Sequence, residues 1–205
     1  KSHGSLSLVG AMGQTENYIS HVSQGSGLLE LDRKDMSIRN YMYYDTNQRT
    51  HSGNIIISLY LDGSRLLCGT NTGTIYSLDL VTRHFSLFHD MKMEDPIYYL
   101  GRDSKGNLLA GGVNSRIGLI SISPEGRVTD RFPLSDGQSR TFGNVRCVLE
   151  IELGRFLIGT RNDGLYDYRM TEGTYTHYKT GHDPDERGNI PDNYVSSIFR
   201  DSNSN

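Results

Sequence analysis

The chain has no tryptophan, only two cysteines and five prolines, and no apolar run that approaches the length of a membrane span. A helix crossing a bilayer needs about 20 consecutive apolar residues, so this piece is not expected to insert into a membrane by itself. Its 21 basic and 24 acidic residues are scattered, giving a net charge of -3 and a pI near 6.2. Nucleic acid is therefore not an expected partner, because phosphate neutralisation needs clustered Lys and Arg. Lys1-Ser2-His3-Gly4 does not begin a signal peptide, so the signal and anchor of an exported protein would lie outside this piece. No helix-length amphipathic stretch is found. The sequence also lacks a Gly-x-Ser-x-Gly elbow, a phosphate loop, and His-x-x-x-His or Cys-x-x-Cys pairs. No catalytic residues, metal site or cofactor are expected.

What the chain has is glycine, 23 residues of it, and a repeat of about 46 residues. Three anchors fix the register. An apolar run closed by an acidic turn recurs at Ile55 to Tyr60, Ile97 to Leu100, Val145 to Ile151 and Val195 to Phe199; Leu59, Leu100, Leu149 and Ile198 are read as equivalent. A small apolar strand ending in Gly recurs at Arg65 to Thr70, Asn107 to Gly112 and Arg155 to Thr160. A Gly opens another strand at Gly27, Gly73, Gly118 and Gly164. A fourth, alternating strand follows at Ser37 to Tyr41, His84 to Phe88, Arg127 to Phe132 and Thr174 to Tyr178. Periods of this size with strand patterning indicate propeller blades. In such a meander the innermost strand is expected to be the most apolar and the outermost to meet water.

The fold expected is all-β: blades of four antiparallel strands over 5–41, 54–88, 96–132 and 144–178, with the first strand of a further blade at 193–201. The piece reads as an arc of four blades cut from a larger ring. A β-sandwich with accidental periodicity would not repeat one strand order. A four-bladed ring, in which the last strand replaces Ser5 to Val9, remains a rival. An open arc would leave apolar faces uncovered and favour self-association, so a homodimer stays among the partners considered.

Asp163-Gly164-Leu165-Tyr166-Asp167-Tyr168, then Glu172 to Tyr178, then Ile190 to Asn203, resembles the two-component regulator propeller repeat. The sequence departs from that repeat where Leu67, Leu109 and Leu157 stand in place of its usual Trp, and in the Gly111-Gly112 of the third copy. The resemblance implies seven-bladed propellers in the periplasmic sensor half of bacterial hybrid two-component receptors, typical of Bacteroidetes. These detect glycan fragments and switch on polysaccharide-utilisation genes. It further implies the remaining blades and downstream receptor domains as covalent partners. Kinase activity would belong to those domains.

Loop length locates the expected site. Fourth-to-first connections are long (42–53, 89–96, 133–143 and 179–192) and share one face with the second-to-third loops. Long loops on a rigid scaffold are where recognition resides. Tyr43, Tyr44, Asn47, Arg49, His51, Asn114, Arg116, Arg140, Arg161, Asn162 and Asp163 lie there. Tyr stacks on sugar C–H faces, Asn and Asp satisfy hydroxyls, and Arg pairs with a uronate or sulfate, so an oligosaccharide is the ligand expected. Asp183 to Asn189 makes only a poor calcium loop, with Arg187 in place of an oxygen ligand and Tyr194 where a Glu would close it. Glu94-Asp95 and Asp185-Glu186 read as solvated turns rather than glycosidase carboxylates. His84 and His177 read as equivalent, half-exposed outer-strand residues, and Cys68 and Cys147 as buried, unbridged thiols. Three functions follow in order: a non-catalytic sensor, a protein-interaction scaffold without a sugar ligand, and a polysaccharide-active enzyme.

Overall fold

The computed structural model describes residues 6–7, 12–14, 18–23, 27–42, 55–92, 95–113, 118–132, 142–181 and 189–201. All of its regular structure is strand, in four antiparallel meanders. The first joins β2 (Met12–Gln14), β3 (Tyr18–Ser23), β4 (Gly27–Asp32) and β5 (Ile38–Tyr41). The second joins β6 (Ile56–Asp62), β7 (Arg65–Thr70), β8 (Thr74–Asp79) and β9 (Phe85–Asp90). The third has the order β10 (Ile97–Arg102), β11 (Leu108–Gly112), β12 (Leu119–Ile122), β13 (Val128–Arg131). The fourth has β14 (Val145–Glu152), β15 (Arg155–Thr160), β16 (Leu165–Arg169), β17 (Thr174–Tyr178). The chain divides into two compact units, 1–100 and 101–205.

Three readings of the sequence are corrected by the ladders. First, β1 (Leu6–Ser7) is not the inner strand of the first blade; it pairs with β6, Leu6 opposite Leu59. The inner strand is Met12–Gln14, which a three-residue connection brings antiparallel to Ile19–His21. Second, Leu59 lies opposite Cys68 and Val148 opposite Ile158, so Val148 rather than Leu149 is the counterpart of Leu59. β14 carries a second register shift, between Glu150 and Glu152, that β6 lacks, and this adds one residue between Val148 and the turn. Third, His177 faces Tyr166 and Leu87 faces Tyr76, whereas His84 precedes β9 and is exposed. The counterpart of His177 is therefore Leu87.

Burial peaks in the two middle strands: β7, β11 and β12 are buried almost throughout, while β13 is fully exposed and β5 nearly so. The inner strands rank below the middle ones because one of their edges has no neighbour of its own meander. Blade faces meet through large side chains. In the first unit Leu28 packs with Ile56, Leu59, Leu66, Cys68, Tyr76 and Leu78, bordered by Tyr41 and Phe85. In the second, Phe132 and Phe142 leave the third blade's end and pack edge-on to Phe156 (5.3 Å) and Tyr166 (5.0 Å) of the fourth.

The Gly near the end of β7 and of β15 has a steric cause. A Cβ on Gly69 would collide with Ser58 Oγ and stand 3.1 Å from Ile97 O; one on Gly159 would lie 2.7 Å from Val195 Cγ1. A larger residue is crowded out by the inner-strand side chain opposite, Ser58 or Cys147, and by the next segment, whose main chain reaches Gly69 at Ile97 and whose Val195 side chain reaches Gly159. Both cysteines are free. Burial pushes the Cys147 thiol up to about 12 and the Cys68 thiol higher still. At pH 8 the Cys147 thiolate fraction is then about one part in ten thousand. Iodoacetamide is accordingly expected to label neither thiol in the native chain and both in denaturant, read by intact mass.

On the fourth blade Arg155 Nε and Nη2 donate to the two carboxylate oxygens of Asp167 at 2.9 and 2.7 Å. Those bonds hold the Asp167 carboxyl below the usual carboxylate range. Asp167→Asn is expected to cost about 2 kcal/mol at neutral pH, the worth of a charge-assisted hydrogen bond. A carboxyl with a depressed folded pKa contributes stability above its unfolded value of about 3.9 and loses it as pH falls through the folded value. Urea titrations should show a wild-type advantage that is full at pH 7 and shrinks in acid. An advantage unchanged by acid would refute the assignment.

Candidate functional site

Strand direction puts second-to-third loops and fourth-to-first loops at the same end of every blade. In the fourth blade that end is built around Thr160, 1 % exposed. Its hydroxyl donates to Gly164 O and accepts from Asp163 N–H, both at 3.0 Å. Thr70 does the same work in the second blade, bonding to Thr74 O at 2.9 Å. The Gly-Thr pair thus has two duties: the Gly admits the next segment, and the Thr locks the loop.

The locked corner exposes Arg161, Asn162 and Asp163 together. Arg161 N–H donates to Asn144 O at 3.0 Å, and Asn144 N–H to Val113 O at 2.7 Å. On the other side Gly164 N–H donates to Asn193 O at 2.9 Å and Val195 N–H to Thr160 O at 2.9 Å. A rim of backbone hydrogen bonds therefore runs from the loop of the third blade, across the corner, to the segment after the fourth. The Asn193 side chain fixes Thr180, accepting from its N–H at 2.9 Å and donating to its hydroxyl at 3.0 Å.

Two residues the sequence reading left out of the site complete it. Tyr166 donates its hydroxyl to Asp163 Oδ2. His177 stacks on the Tyr166 ring at 4.0 Å and 7°, with Nε2 2.5 Å from Asp163 O. Pairing third and fourth strands residue by residue would have found this, since Tyr166 and His177 face each other in the ladder. Of the ligand residues expected from sequence, Arg161, Asn162 and Asp163 are brought together here. Tyr43, Tyr44, Asn47, Arg49, His51, Asn114, Arg116 and Arg140 lie outside the described residues, as do Glu94, Asp185, Glu186 and most of the weak calcium loop. Asp95 is fully buried, not a solvated turn residue.

The chain superimposes over its full length on the extracellular domain assigned to the hybrid two-component system BT3049 of B. thetaiotaomicron, with a TM-score of 0.73 and 16 % identity. This is a propeller fold. The corresponding domain of BT4673 from the same organism matches 94 % of the chain at 0.59 and 17 % identity, and a streptogramin B lyase matches 86 % at 0.59 and 10 %. The chain spans 27 % and 30 % of the two receptor domains and 58 % of the lyase. No family model and no curated protein matches the chain.

Proposed function

We propose that this chain is part of a non-catalytic sensor propeller of a hybrid two-component receptor, facing the periplasm and binding oligosaccharides with the loop end of its blades. The fold likeness to BT3049 and the repeat resemblance support the receptor reading. The observation that carries the ligand reading is the corner at 161–163: a guanidinium, an amide and a carboxylate exposed side by side on a backbone fixed by a buried hydroxyl. Preorganised polar groups suit a hydroxyl-rich ligand, because little ordering entropy opposes binding. The aromatic residues Tyr43 and Tyr44 are proposed as stacking partners, with Asn47, Arg49, His51, Asn114, Arg116 and Arg140 as further contacts.

Titration calorimetry against plant and host oligosaccharides tests this reading. Binding should appear for at least one class and weaken about tenfold or more in Arg161→Ala with unchanged thermal stability, the loss of one charge-assisted contact. Absence of heat across the panel would favour an interaction scaffold, a reading that draws on the exposed Phe199. Propellers also carry enzymes, as the lyase shows, so released product after long incubation would refute the non-catalytic assignment.

A further inference from the structure

The second blade is an internal control for the corner of the fourth. Gly69 pairs with Ile75 and Gly159 with Leu165, and the loops between them have the same length. Register therefore sets Arg161 against Asn71, Asn162 against Thr72 and Asp163 against Gly73. On the outer strands His177 faces Tyr166 as Leu87 faces Tyr76, and Tyr178 faces Leu165 as His89 faces Ile75, so Lys179 stands where Asp90 does. The second blade keeps the Thr lock with no charge at 71–73. The charges at 161–163 and at 179 are thus not something the blade needs in order to fold.

The polar groups are also spent differently. In the second blade the hydroxyls of Thr70, Thr72 and Thr74 bond to one another at 2.7 to 3.4 Å, and Asp90 accepts from Lys92 Nζ at 2.7 Å. In the fourth the tied group is Asp163. Its Oδ2 accepts from the Tyr166 hydroxyl, its main-chain O from His177 Nε2, and Oδ1 lies 3.5 Å from that nitrogen. Asp192, also at this end, accepts from Tyr194 N–H at 2.9 Å. The Arg161 guanidinium, the Asn162 amide and the Lys179 ammonium are exposed and make no hydrogen bond or ion pair among the described residues. Lys179 belongs to the same corner, its Cα 3.2 Å from where a Cβ on Gly164 would stand. Outward donors therefore outnumber outward acceptors.

We propose that Arg161 and Lys179 seat the carboxylate of a uronic acid, so that the ligand of this corner is an acidic oligosaccharide; this rests on the oligosaccharide reading above. A guanidinium presents two parallel N–H groups at the spacing of a planar carboxylate's oxygens, and an ammonium adds a second, compact charge. The Asn162 amide, with both donor and acceptor, is left for a ring hydroxyl. Asp163 and Asp192 oppose an anion, and the donors already bonded to them offset part of that repulsion.

The test is titration calorimetry of the 205-residue chain against oligogalacturonate, oligoglucuronate and oligomannuronate, each beside its carboxyl-reduced, neutral counterpart, with a uronate-free sulfated galactan fragment as a further arm. At least one acidic member should bind at least about tenfold more tightly than its reduced counterpart. That preference should shrink as NaCl is raised from about 20 to about 300 mM. In Arg161→Gln and in Lys179→Gln, with unchanged melting temperatures, acid and neutral forms should come within about threefold of each other. Neutral forms that bind as tightly as the acids, or a preference that survives in both variants, would overturn the acid assignment and leave the oligosaccharide reading standing. Binding of the sulfated fragment alone would overturn the carboxylate. Heat from none of these ligands would overturn this proposal and count against the oligosaccharide reading as well.

Discussion

Arg83→Ala is expected to destabilise the chain by about 3–5 kcal/mol, the cost of leaving a buried charge without its counter-ion. Glu30 sits on β4 with a side chain that is 0 % exposed, and Arg83 Nη1 donates to its Oε2 at 2.7 Å from the neighbouring blade. The Tyr41 hydroxyl adds a longer bond to Oε1 at 3.3 Å. Arg83 reaches Glu30 from a turn that leaves little freedom. Asp79 Oδ1 accepts from the N–H groups of Val81 and Thr82 at 2.9 and 2.7 Å, and Arg83 itself is left-handed at φ 61°. Removing both charges should be far milder than removing one, so Glu30→Met with Arg83→Ala should regain most of the loss. Denaturant midpoints for the two variants check this. A single variant within about 1 kcal/mol of wild type, or a double variant no better than the single, would mean the pair does not hold these two blades together.

Gly69→Ala is the second large effect, expected at about 2–3 kcal/mol for one added methyl group. The cause is room, not backbone conformation. The new carbon meets Ser58 Oγ, Ile97 Cγ2 at 3.0 Å and Ile97 O at 3.1 Å, and the last of these is main chain that cannot rotate away. Ser58→Gly in the same molecule should relieve the first contact and restore only part of the stability. Thermal melts of the single and double variants measure it; full rescue by Ser58→Gly would show that the main chain of Ile97 was not the obstacle.

Blade architecture was legible because strand alternation, glycine and acidic turns recur locally, and each of the four outer strands falls within two residues of where the pattern puts it. The inner-strand register was not, because a bulge adds a residue without changing the apolar pattern, and so Leu149 was read in place of Val148. Leu6–Ser7 looked like a first strand for the same reason: apolar patterning announces a strand, not its partner. At the site, exposure of Arg161 to Asp163 followed from their place between two strands. Tyr166 and His177 did not, because they meet through a register that only the paired ladder reveals. The Glu30–Arg83 pair joins residues 53 positions apart, and no local pattern carries that.

The hydroxyl of Thr160 bears on selectivity as well as on stability. A loop held by its own main chain from inside cannot reshape itself around each visitor, so the spacing of Arg161, Asn162 and Asp163 acts as a fixed ruler. Two sugars that differ only in the handedness of one hydroxyl would present equal polarity but different spacing to that ruler. On the oligosaccharide reading proposed above, such a stiff corner would separate epimers, whereas a mobile loop would accept both at reduced affinity.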